Sequence, residues 1–223
     1  MKTLRRTTER ALRGLERFNR EHPWSHNDLY IPWILWQARR VRRRGRAEAL
    51  DIGCGTGHLL KRLAPIVEQV TGIEPDPATA ALARRNLSGV EHAVIHEGPF
   101  GEEPGATYDL VTFIASLHHM PLRDSLQRAR RMLRPGGRLL VVGVARESPA
   151  DWPYTVISTL LNPVIGVFRQ LRRVPVLPPH MAAPATEALQ TFTEIAEVMR
   201  HELPGVRIRR GLFWRYTAAW TRT

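Results

Sequence analysis

Three glycines at every second position, Gly53, Gly55 and Gly57, constrain this chain more than any other feature of its sequence. They follow an apolar run, residues 49–52, that suits a buried strand, and they precede a helical pattern that begins at His58. Glycine at a strand-to-helix turn can take positive φ and lets a ligand approach the backbone closely. The helix N-terminus beyond the turn offers free N–H groups and the positive end of the helix dipole. The stretch therefore predicts a ligand-binding turn of an α/β fold.

The residue before the glycines narrows the choice of ligand. A dinucleotide-binding turn reads G-x-G-x-x-G, with its glycines spaced for a pyrophosphate. This chain instead has Asp51 followed by glycines at spacing two. A carboxylate at this place would repel a phosphate and attract an ammonium group. The stretch therefore favours a ligand that has a cationic end and no phosphate.

Residues 50–57 resemble the first motif of the class I S-adenosylmethionine (SAM)-dependent methyltransferases and match it without departure. The resemblance implies that this loop, Cys54 included, surrounds the methionine part of SAM, with S-adenosylhomocysteine (SAH) as the product. It also implies a Rossmann-like, doubly wound α/β fold. We expect a seven-stranded sheet, mostly parallel with an antiparallel terminal strand, together with N-terminal helices and an insertion after the fifth strand as a lid. A NAD-type turn is the alternative, and the glycine spacing argues against it.

A second carboxylate stands where the ribose of the cofactor would lie. Residues 69–73 alternate as a second strand, and Glu74 follows at its end. A carboxylate there can accept hydrogen bonds from both ribose hydroxyls. The family carries an acid at this position, so the resemblance implies that Glu74 and the adjoining Pro75 contact the cofactor. A solvated strand end is the alternative.

The adenine end of the site departs from the family's pattern. A third strand is predicted over residues 90–95, and the family usually has an acid just after it, often written Gly-Asp-Ala. This chain has His96, Glu97 and Gly98 instead. The resemblance implies that Glu97, with Gly98, faces the exocyclic amine of adenine, because a carboxylate can accept from it. His96 is the alternative at this register.

Two adjacent histidines follow the predicted fourth strand, residues 108–115. The stretch 116–121 resembles the family's fourth motif, which passes beside the transferring methyl group and implies a cofactor contact for Ala115. His118 or His119 could take a proton from a hydroxyl or amine acceptor. The alternative is that one of them only braces the loop. We expect no metal, because no carboxylate or third ligand neighbours the pair and the sulfonium of SAM already activates the methyl group.

A segment ahead of the glycine turn concentrates aromatic and hydrogen-bonding side chains: Trp24, His26, Asn27 and Tyr30. Such groups can close over a ligand with stacking surface and polar anchors. Many bacterial small-molecule methyltransferases carry a similar His-Asn…Tyr stretch near the methionine carboxylate or the substrate. The resemblance thus implies cofactor contacts for Asn27 and Tyr30 and a substrate contact for His26. Ordinary core packing is the alternative.

The last third of the chain breaks the alternation of strands and helices. Residues 134–137 predict a tight turn before a buried strand at 138–144, and the final strand at 213–220 is expected at the edge of the sheet. Between them Trp152 and Tyr154 precede an apolar helix predicted at residues 155–171 and interrupted at Pro163. Both are candidate substrate contacts, and packing of this segment on a neighbouring subunit is the alternative. The predicted division is an N-terminal helical cap, a SAM-binding core, a substrate lid, and a C-terminal helix with strands: residues 1–46, 47–145, 146–185 and 186–223.

Composition limits the function classes. The net charge is +12, but Lys2 and Lys61 are the only lysines, so the charge resides almost entirely in arginine. Arginine bias often reflects a GC-rich genome, and we do not expect a nucleic-acid partner. A single cysteine cannot form an internal disulfide, and no apolar run reaches the roughly 18 residues of a membrane span. We expect a bacterial, cytoplasmic protein that is a monomer or a homodimer.

Together these features predict methyl transfer from SAM to an oxygen or nitrogen atom, or a carbon atom, of a small apolar or aromatic acceptor. One alternative is a methyltransferase that acts on RNA or protein, which would bind polyanions in a salt-sensitive way. The other is a SAM-binding protein without turnover.

Overall fold

A computed structural model describes residues 25–43, 45, 47–102, 106–169 and 188–223. Residues 1–24 of the predicted N-terminal cap, Trp24 among them, and the end of the predicted lid, residues 170–185, lie outside this part. The described strands are β1 Glu48–Ile52, β2 Gln69–Glu74, β3 Ala93–Glu97, β4 Tyr108–Ile114, β5 Leu133–Val144, β6 Arg207–Arg210 and β7 Arg215–Thr221. The described helices are α1 Ile31–Arg42, α2 His58–Leu63, α3 Pro77–Asn86, α4 Leu122–Met132, α5 Trp152–Arg169 and α6 Phe192–Glu202. Short 3₁₀ turns cover His26–Leu29, Leu117–His119 and Pro149–Asp151.

The strands form one sheet in the order β3-β2-β1-β4-β5-β7-β6. Strands β1 to β5 pair in parallel, whereas β7 is antiparallel to both β5 and β6. The strand order reverses between β1 and β4, and in open α/β sheets ligands bind at the carboxyl ends of the strands at such a point. The predicted Rossmann-like, doubly wound sheet is confirmed.

Apolar side chains cover both faces of the sheet. On one face Leu126 of α4 and Met199 of α6 pack with Leu50 and Phe113. On the other face Ile34 of α1 and residues of α2 pack with alternate residues of β1 and β4. Because successive side chains of a strand point to opposite faces, the central strands are apolar throughout. The result is three layers, with the helices leaving one edge of the sheet open for a site.

Helix starts follow local capping rules. The Asp76 carboxylate accepts a hydrogen bond from the Thr79 N–H at 2.7 Å, and Pro77 occupies the first turn of α3, as its sequence predicts. Thr191 and Glu194 form a reciprocal capping box at the start of α6. None of the helices that the structure describes combines the length and apolar character needed to cross a bilayer.

The bounds of two strands differ from those that the sequence predicts. β3 starts at Ala93 and continues through Glu97, because His96 and Glu97 pair with the end of β2. The predicted turn at 134–137 belongs to β5, with a register shift against β4 and Gly136 at a φ of 78°. Residues 134–137 stand together opposite the single residue Asp109 of β4, so the predicted turn is an irregular stretch near the start of β5.

Two further predictions about the last third are wrong. α5 begins at Trp152 and runs through Pro163 without a break; Ser158 and Asn162 tie it to other elements, which offsets the hydrogen bond that proline cannot donate. β7 lies between β5 and β6, so β6 is the edge strand. β7 is hydrogen-bonded to a strand on each side, and every second side chain from Tyr216 to Trp220 is buried.

Candidate functional site

The glycine turn has the backbone geometry that its sequence predicts. Gly53, Gly55 and Gly57 have φ angles of 72°, 56° and 79°, a region that glycine enters without steric cost. The N–H groups of Gly53 and Cys54 both donate to the Ile73 carbonyl, at 2.9 and 3.0 Å. These bonds hold the turn against the end of β2. The turn therefore lies at the carboxyl edge of the sheet, where its backbone faces the switch point.

Glu74 is fixed beside this turn. One carboxylate oxygen accepts from the Gly55 N–H at 2.8 Å, and the other accepts from the Asp76 N–H at 3.1 Å. The side chain is buried, with 8% of the residue exposed. A carboxylate has about four acceptor positions, so two remain for hydroxyl donors. The residue therefore has the placement and acceptor capacity that ribose binding needs.

Asp51 is buried near the end of β1, two residues before the first glycine of the turn. The Thr112 hydroxyl donates to its carboxylate at 2.6 Å. Burial raises the pKa of Asp51 to about 7, and the negative charge of Glu74 adds to this rise while the Thr112 bond opposes it. A cationic group placed nearby would relieve both the burial cost and the repulsion from Glu74. The pair of acids thus suits the ammonium group of SAM.

Cys54 is buried in the turn, and its sulfur packs over Gly72. Burial raises the pKa of its thiol, with Asp51 and Glu74 adding to the effect. A thiol whose pKa is raised is a poor nucleophile at neutral pH. Cys54 is therefore a small apolar wall of the turn, as its sequence position suggests.

The chain after β4 is strained and tied to the glycine turn. Ala115 has a φ of 54°, and its N–H donates to the Val142 carbonyl at 2.7 Å. The next residue, Ser116, donates its hydroxyl to the Ile52 carbonyl at 2.5 Å. Left-handed backbone at a non-glycine residue persists only where its surroundings enforce it, and it is frequent at functional sites. The two predicted motifs therefore meet in space, through a serine that the sequence did not single out.

The two histidines after β4 occupy different environments. Their rings contact each other, with centroids 4.0 Å apart. His118 lines a cavity of about 250 Å³, whereas His119 is exposed. Most of the other cavity walls are apolar and include Leu117, Met120, Leu122, Val144, Ile195 and Tyr216. Of the two predicted bases, His118 is the one that a molecule in the cavity would meet.

The polar residues of the N-terminal segment point to the turn between β6 and β7. The Tyr30 hydroxyl donates to the Leu212 carbonyl at 2.8 Å, and the Asn27 side chain accepts from Arg215 at 2.8 Å. His26 stacks on the Phe213 ring, with centroids 5.3 Å apart. These contacts anchor the segment to the protein itself. The expected contacts of Asn27 and Tyr30 with the cofactor, and of His26 with the substrate, remain predictions.

The electrostatic state of this segment follows from its burial. Burial lowers the pKa of His26 to about 4, with the charge of Arg215 contributing and a hydrogen bond to Asn162 opposing. The imidazole is therefore neutral at physiological pH. A contact between Asp28 and His58, at 3.4 Å, joins the same segment to the first residue of α2. The segment thus connects the glycine turn to the β6–β7 turn.

On the predicted adenine side, Glu97 and Gly98 lie at the end of β3, beside the end of β2. Glu97 forms an ion pair with Arg84 of α3 at 3.0 Å and is exposed. Gly98 has a φ of 139° and donates its N–H to the Glu74 carbonyl at 3.1 Å, which brings it to the carboxyl edge. Pro75, next to Glu74, is exposed at the same edge. An adenine contact of Glu97 would share its carboxylate with Arg84.

The two candidate substrate residues of the predicted lid, Tyr154 and Trp152, lie in different surroundings. Tyr154 lines a small cavity of about 30 Å³ together with Trp214 and Arg215. Trp152 is 70% exposed and lines neither this cavity nor the one beside His118. Arg215 was not singled out from the sequence, because its Trp-Arg-Tyr stretch has only the pattern of a strand. Within the described residues, no group of three or more histidines, cysteines and acids is arranged to hold a metal.

Comparisons with known proteins agree with this geometry. Residues 50–141 match a family described as a methyltransferase domain. An uncharacterised methyltransferase of Mycobacterium tuberculosis is 31% identical over 206 residues, which cover 90% of this chain and 98% of that protein. A ubiquinone biosynthesis O-methyltransferase of Pseudomonas savastanoi is 36% identical over 137 residues, covering 59% of this chain and 57% of that one.

A solved structure shows the same fold. An amino pentose methyltransferase from Micromonospora echinaspora, involved in calicheamicin biosynthesis and determined with SAM bound, superposes with a TM-score of 0.61. The alignment covers 93% of this chain and 96% of that chain, at 20% identity. With the match to the mycobacterial protein over nearly its whole length, these findings establish the family. The chain belongs to the class I SAM-dependent methyltransferases.

Proposed function

We propose that the protein transfers the methyl group of SAM to an oxygen or nitrogen atom of a small, largely apolar acceptor that binds beside His118. The supporting observation is the cavity of about 250 Å³ that opens directly after β4. Small-molecule sites are concave, mostly apolar and carry few polar groups. A cavity of this size suits a small organic molecule better than an RNA or protein segment.

The chain's own residues fit the cofactor at several points. Asp51 would attract the ammonium group, Glu74 would accept from the ribose hydroxyls, and the open backbone of the glycine turn would lie against the methionine part. Bound SAM supplies a methyl group already activated by its sulfonium. The protein's contribution is then to align the acceptor with that methyl and to exclude water from the reacting atoms.

His118 is the proposed general base. As the acceptor's oxygen or nitrogen bonds to the methyl carbon, the carbon–sulfur bond breaks and its electron pair remains on sulfur, which leaves SAH. The proton of the acceptor's hydroxyl or amine passes to the imidazole of His118, which lines the same cavity and is the titratable side chain that the acceptor would meet there. The relative named as an O-methyltransferase supports oxygen as the methylated atom.

Paired histidine variants test this role. General-base catalysis contributes about 10²- to 10⁴-fold, so we expect His118→Gln to lower kcat by about 100-fold. His119→Gln, the matched control on the exposed neighbour, should stay within about threefold. Turnover is followed by mass spectrometry on a panel of phenols and amines with SAM, and SAH affinity is measured in parallel.

The results separate the alternatives. Loss of turnover in His118→Gln with SAH affinity retained supports the base role. Equal activity of both variants and the wild type removes the base and leaves alignment as the main source of catalysis. SAH binding without turnover of any phenol or amine would favour one of the alternatives: a SAM-binding protein without turnover, or a methyltransferase that acts on RNA or protein.

A further inference from the structure

Arg215 carries a charge at the carboxyl edge that no acid of the described residues pairs with. It is the first residue of β7 and pairs with Val144, the last residue of β5. Its Nε–H donates to the Asn27 side chain at 2.8 Å, and one terminal nitrogen makes a long contact of 3.4 Å with the Phe213 carbonyl. Among the residues that the structure describes, no carboxylate forms an ion pair with this guanidinium.

Two titratable side chains close to Arg215, Tyr30 and His26, are neutral. Burial lowers the pKa of Arg215 itself, and burial raises the pKa of Tyr30, so the phenol stays protonated. His26 is uncharged, since burial and then Arg215 lower its pKa to about 4. A largely desolvated charge without a partner destabilises a protein. The charge is therefore kept at a cost that an anionic ligand would offset.

The cavity of about 30 Å³ beside Tyr154 and Arg215 could hold such an anion. Its lining carries three guanidinium groups and two carboxylates: Arg146, Arg210, Arg215, Glu147 and Asp151. Both acids are already engaged. Asp151 pairs with Arg210 and accepts from the Ser148 N–H at 2.8 Å, and Glu147 accepts from the Thr155 hydroxyl at 2.7 Å. The cavity therefore has a net positive charge.

A strained turn points Arg215 to this cavity. Phe213 and Trp214 have φ angles of 57° and 58°, two consecutive bulky residues in the left-handed region. The Phe213 N–H donates to the Ser158 hydroxyl of α5 at 2.7 Å, and Tyr30 holds the Leu212 carbonyl. Two elements, α5 and the N-terminal segment, thus hold the conformation, and strain of this kind clusters at ligand-binding positions.

We propose that Arg215 binds a carboxylate of the methyl acceptor. This inference rests on the proposed function, and it names the acceptor class: a carboxylic acid with an apolar body and a nucleophilic oxygen or nitrogen. Arginine holds a planar carboxylate through two parallel hydrogen bonds, and a cavity of about 30 Å³ has room for a group of that size. Tyr216 lines both cavities, so the two are neighbours, and the proposal requires an acceptor that extends past this side chain from Arg215 towards His118.

The test uses binding, so it needs no knowledge of the natural acceptor. Benzoate, phenylacetate and octanoate, each against its primary amide, are titrated into the SAH-saturated protein by ligand-observed NMR. We expect the acids to bind about tenfold or more tightly than the amides, as a charge-assisted pair predicts. Arg215→Gln should abolish the difference, and Arg215→Lys should retain part of it. Arg209→Gln, which removes an exposed arginine of the neighbouring strand, should keep it in full.

Other outcomes overturn the inference. Acids and amides that bind equally, or not at all, exclude a carboxylate site. Acids that bind only without SAH and compete with it assign the carboxylate of the cofactor to Arg215. The comparison of acids with amides and the competition with SAH are both measured on the wild type. They therefore test the carboxylate site even where Arg215→Gln fails to fold. Absence of SAH binding would instead refute the proposed function.

Discussion

At the scale of single residues, the site is controlled by burial more than by residue type. Asp51 and Glu74 are both acids at the carboxyl edge, yet they have different partners. Glu74 accepts two backbone N–H groups, at 2.8 and 3.1 Å. Asp51 has one described donor, the Thr112 hydroxyl, and its pKa rises to about 7. Near neutral pH, the positive charge of the cofactor's ammonium group would therefore lower the pKa of Asp51 and favour its ionised form.

Asp51 predicts a pH dependence of stability in the cofactor-free protein. Its folded pKa of about 7 lies above its ordinary value of 3.8, so the folded state binds more protons between these values. The free energy of unfolding should therefore fall as pH rises from about 4 to about 7, by at most roughly 4 kcal/mol from this group. Urea denaturation of the wild type and Asp51→Asn across this range measures it. A difference between the two proteins that does not vary with pH would contradict the assignment.

Gly53 predicts a local steric effect. A Cβ there would collide with the Ser116 side chain, and the φ of 72° disfavours any L-residue. We expect Gly53→Ala to lower the free energy of unfolding by about 1–3 kcal/mol and to weaken SAH binding strongly. The control is Gly89→Ala, since nothing lies within 4 Å of a Cβ at that position. Thermal unfolding and SAH titration of both variants test this; similar behaviour of the two would contradict the role of the Gly53–Ser116 contact.

At the scale of elements, the N-terminal segment and the β6–β7 turn form one unit at the edge of the site. The Tyr30 hydroxyl donates to Leu212, and Arg215 donates to Asn27. Such partners lie nearly the whole chain apart, so local sequence patterns do not predict them. The same residues were expected to contact ligand because polar and aromatic groups ahead of the glycine turn have that role in related proteins. The structure supports an anchoring role beside it.

Tyr30→Phe separates anchoring from ligand contact. Loss of the bond to the Leu212 carbonyl leaves an unpaired acceptor, so we expect the free energy of unfolding to fall by about 1–2 kcal/mol. Tyr154→Phe is the stability control, because its hydroxyl has no hydrogen bond with any residue that the structure describes. SAH affinity that falls by about tenfold in Tyr30→Phe would show that the tyrosine also contacts the cofactor.

Sequence patterns predicted the elements whose signals are local. The turn at Gly53, the cap at Asp76 and the strand that ends in Glu74 follow from residue type and spacing. The place of β7 between β5 and β6 does not, because strand order depends on pairing between distant segments. Arg215 was missed for the same reason: its significance comes from neighbours on other elements.

At the scale of the whole molecule, five segments meet at one edge of the sheet. They are the N-terminal turn, the glycine turn, the chain after β4, the chain after β5 and the β6–β7 turn: residues 25–30, 53–57, 115–119, 145–151 and 211–215. The parallel core brings the first motifs together, and antiparallel β7 adds Arg215 beside them. The carboxyl edge thus holds cofactor-side and acceptor-side groups on one rigid sheet, as catalysis by alignment requires.

We expect the carboxyl edge of the sheet to bind SAM through Glu74 at the end of β2. Isothermal titration of the protein with SAM, SAH and NAD tests it most directly, with Glu74→Gln as the variant and Glu91→Gln, on the exposed surface, as its control. We expect SAM and SAH to bind, NAD not to bind, and Glu74→Gln to weaken SAH by about 10- to 100-fold, because hydrogen bonds to a charged acceptor are lost. Glu91→Gln should match the wild type. Binding of NAD in place of SAH, or equal SAH affinity in both variants, would contradict the account.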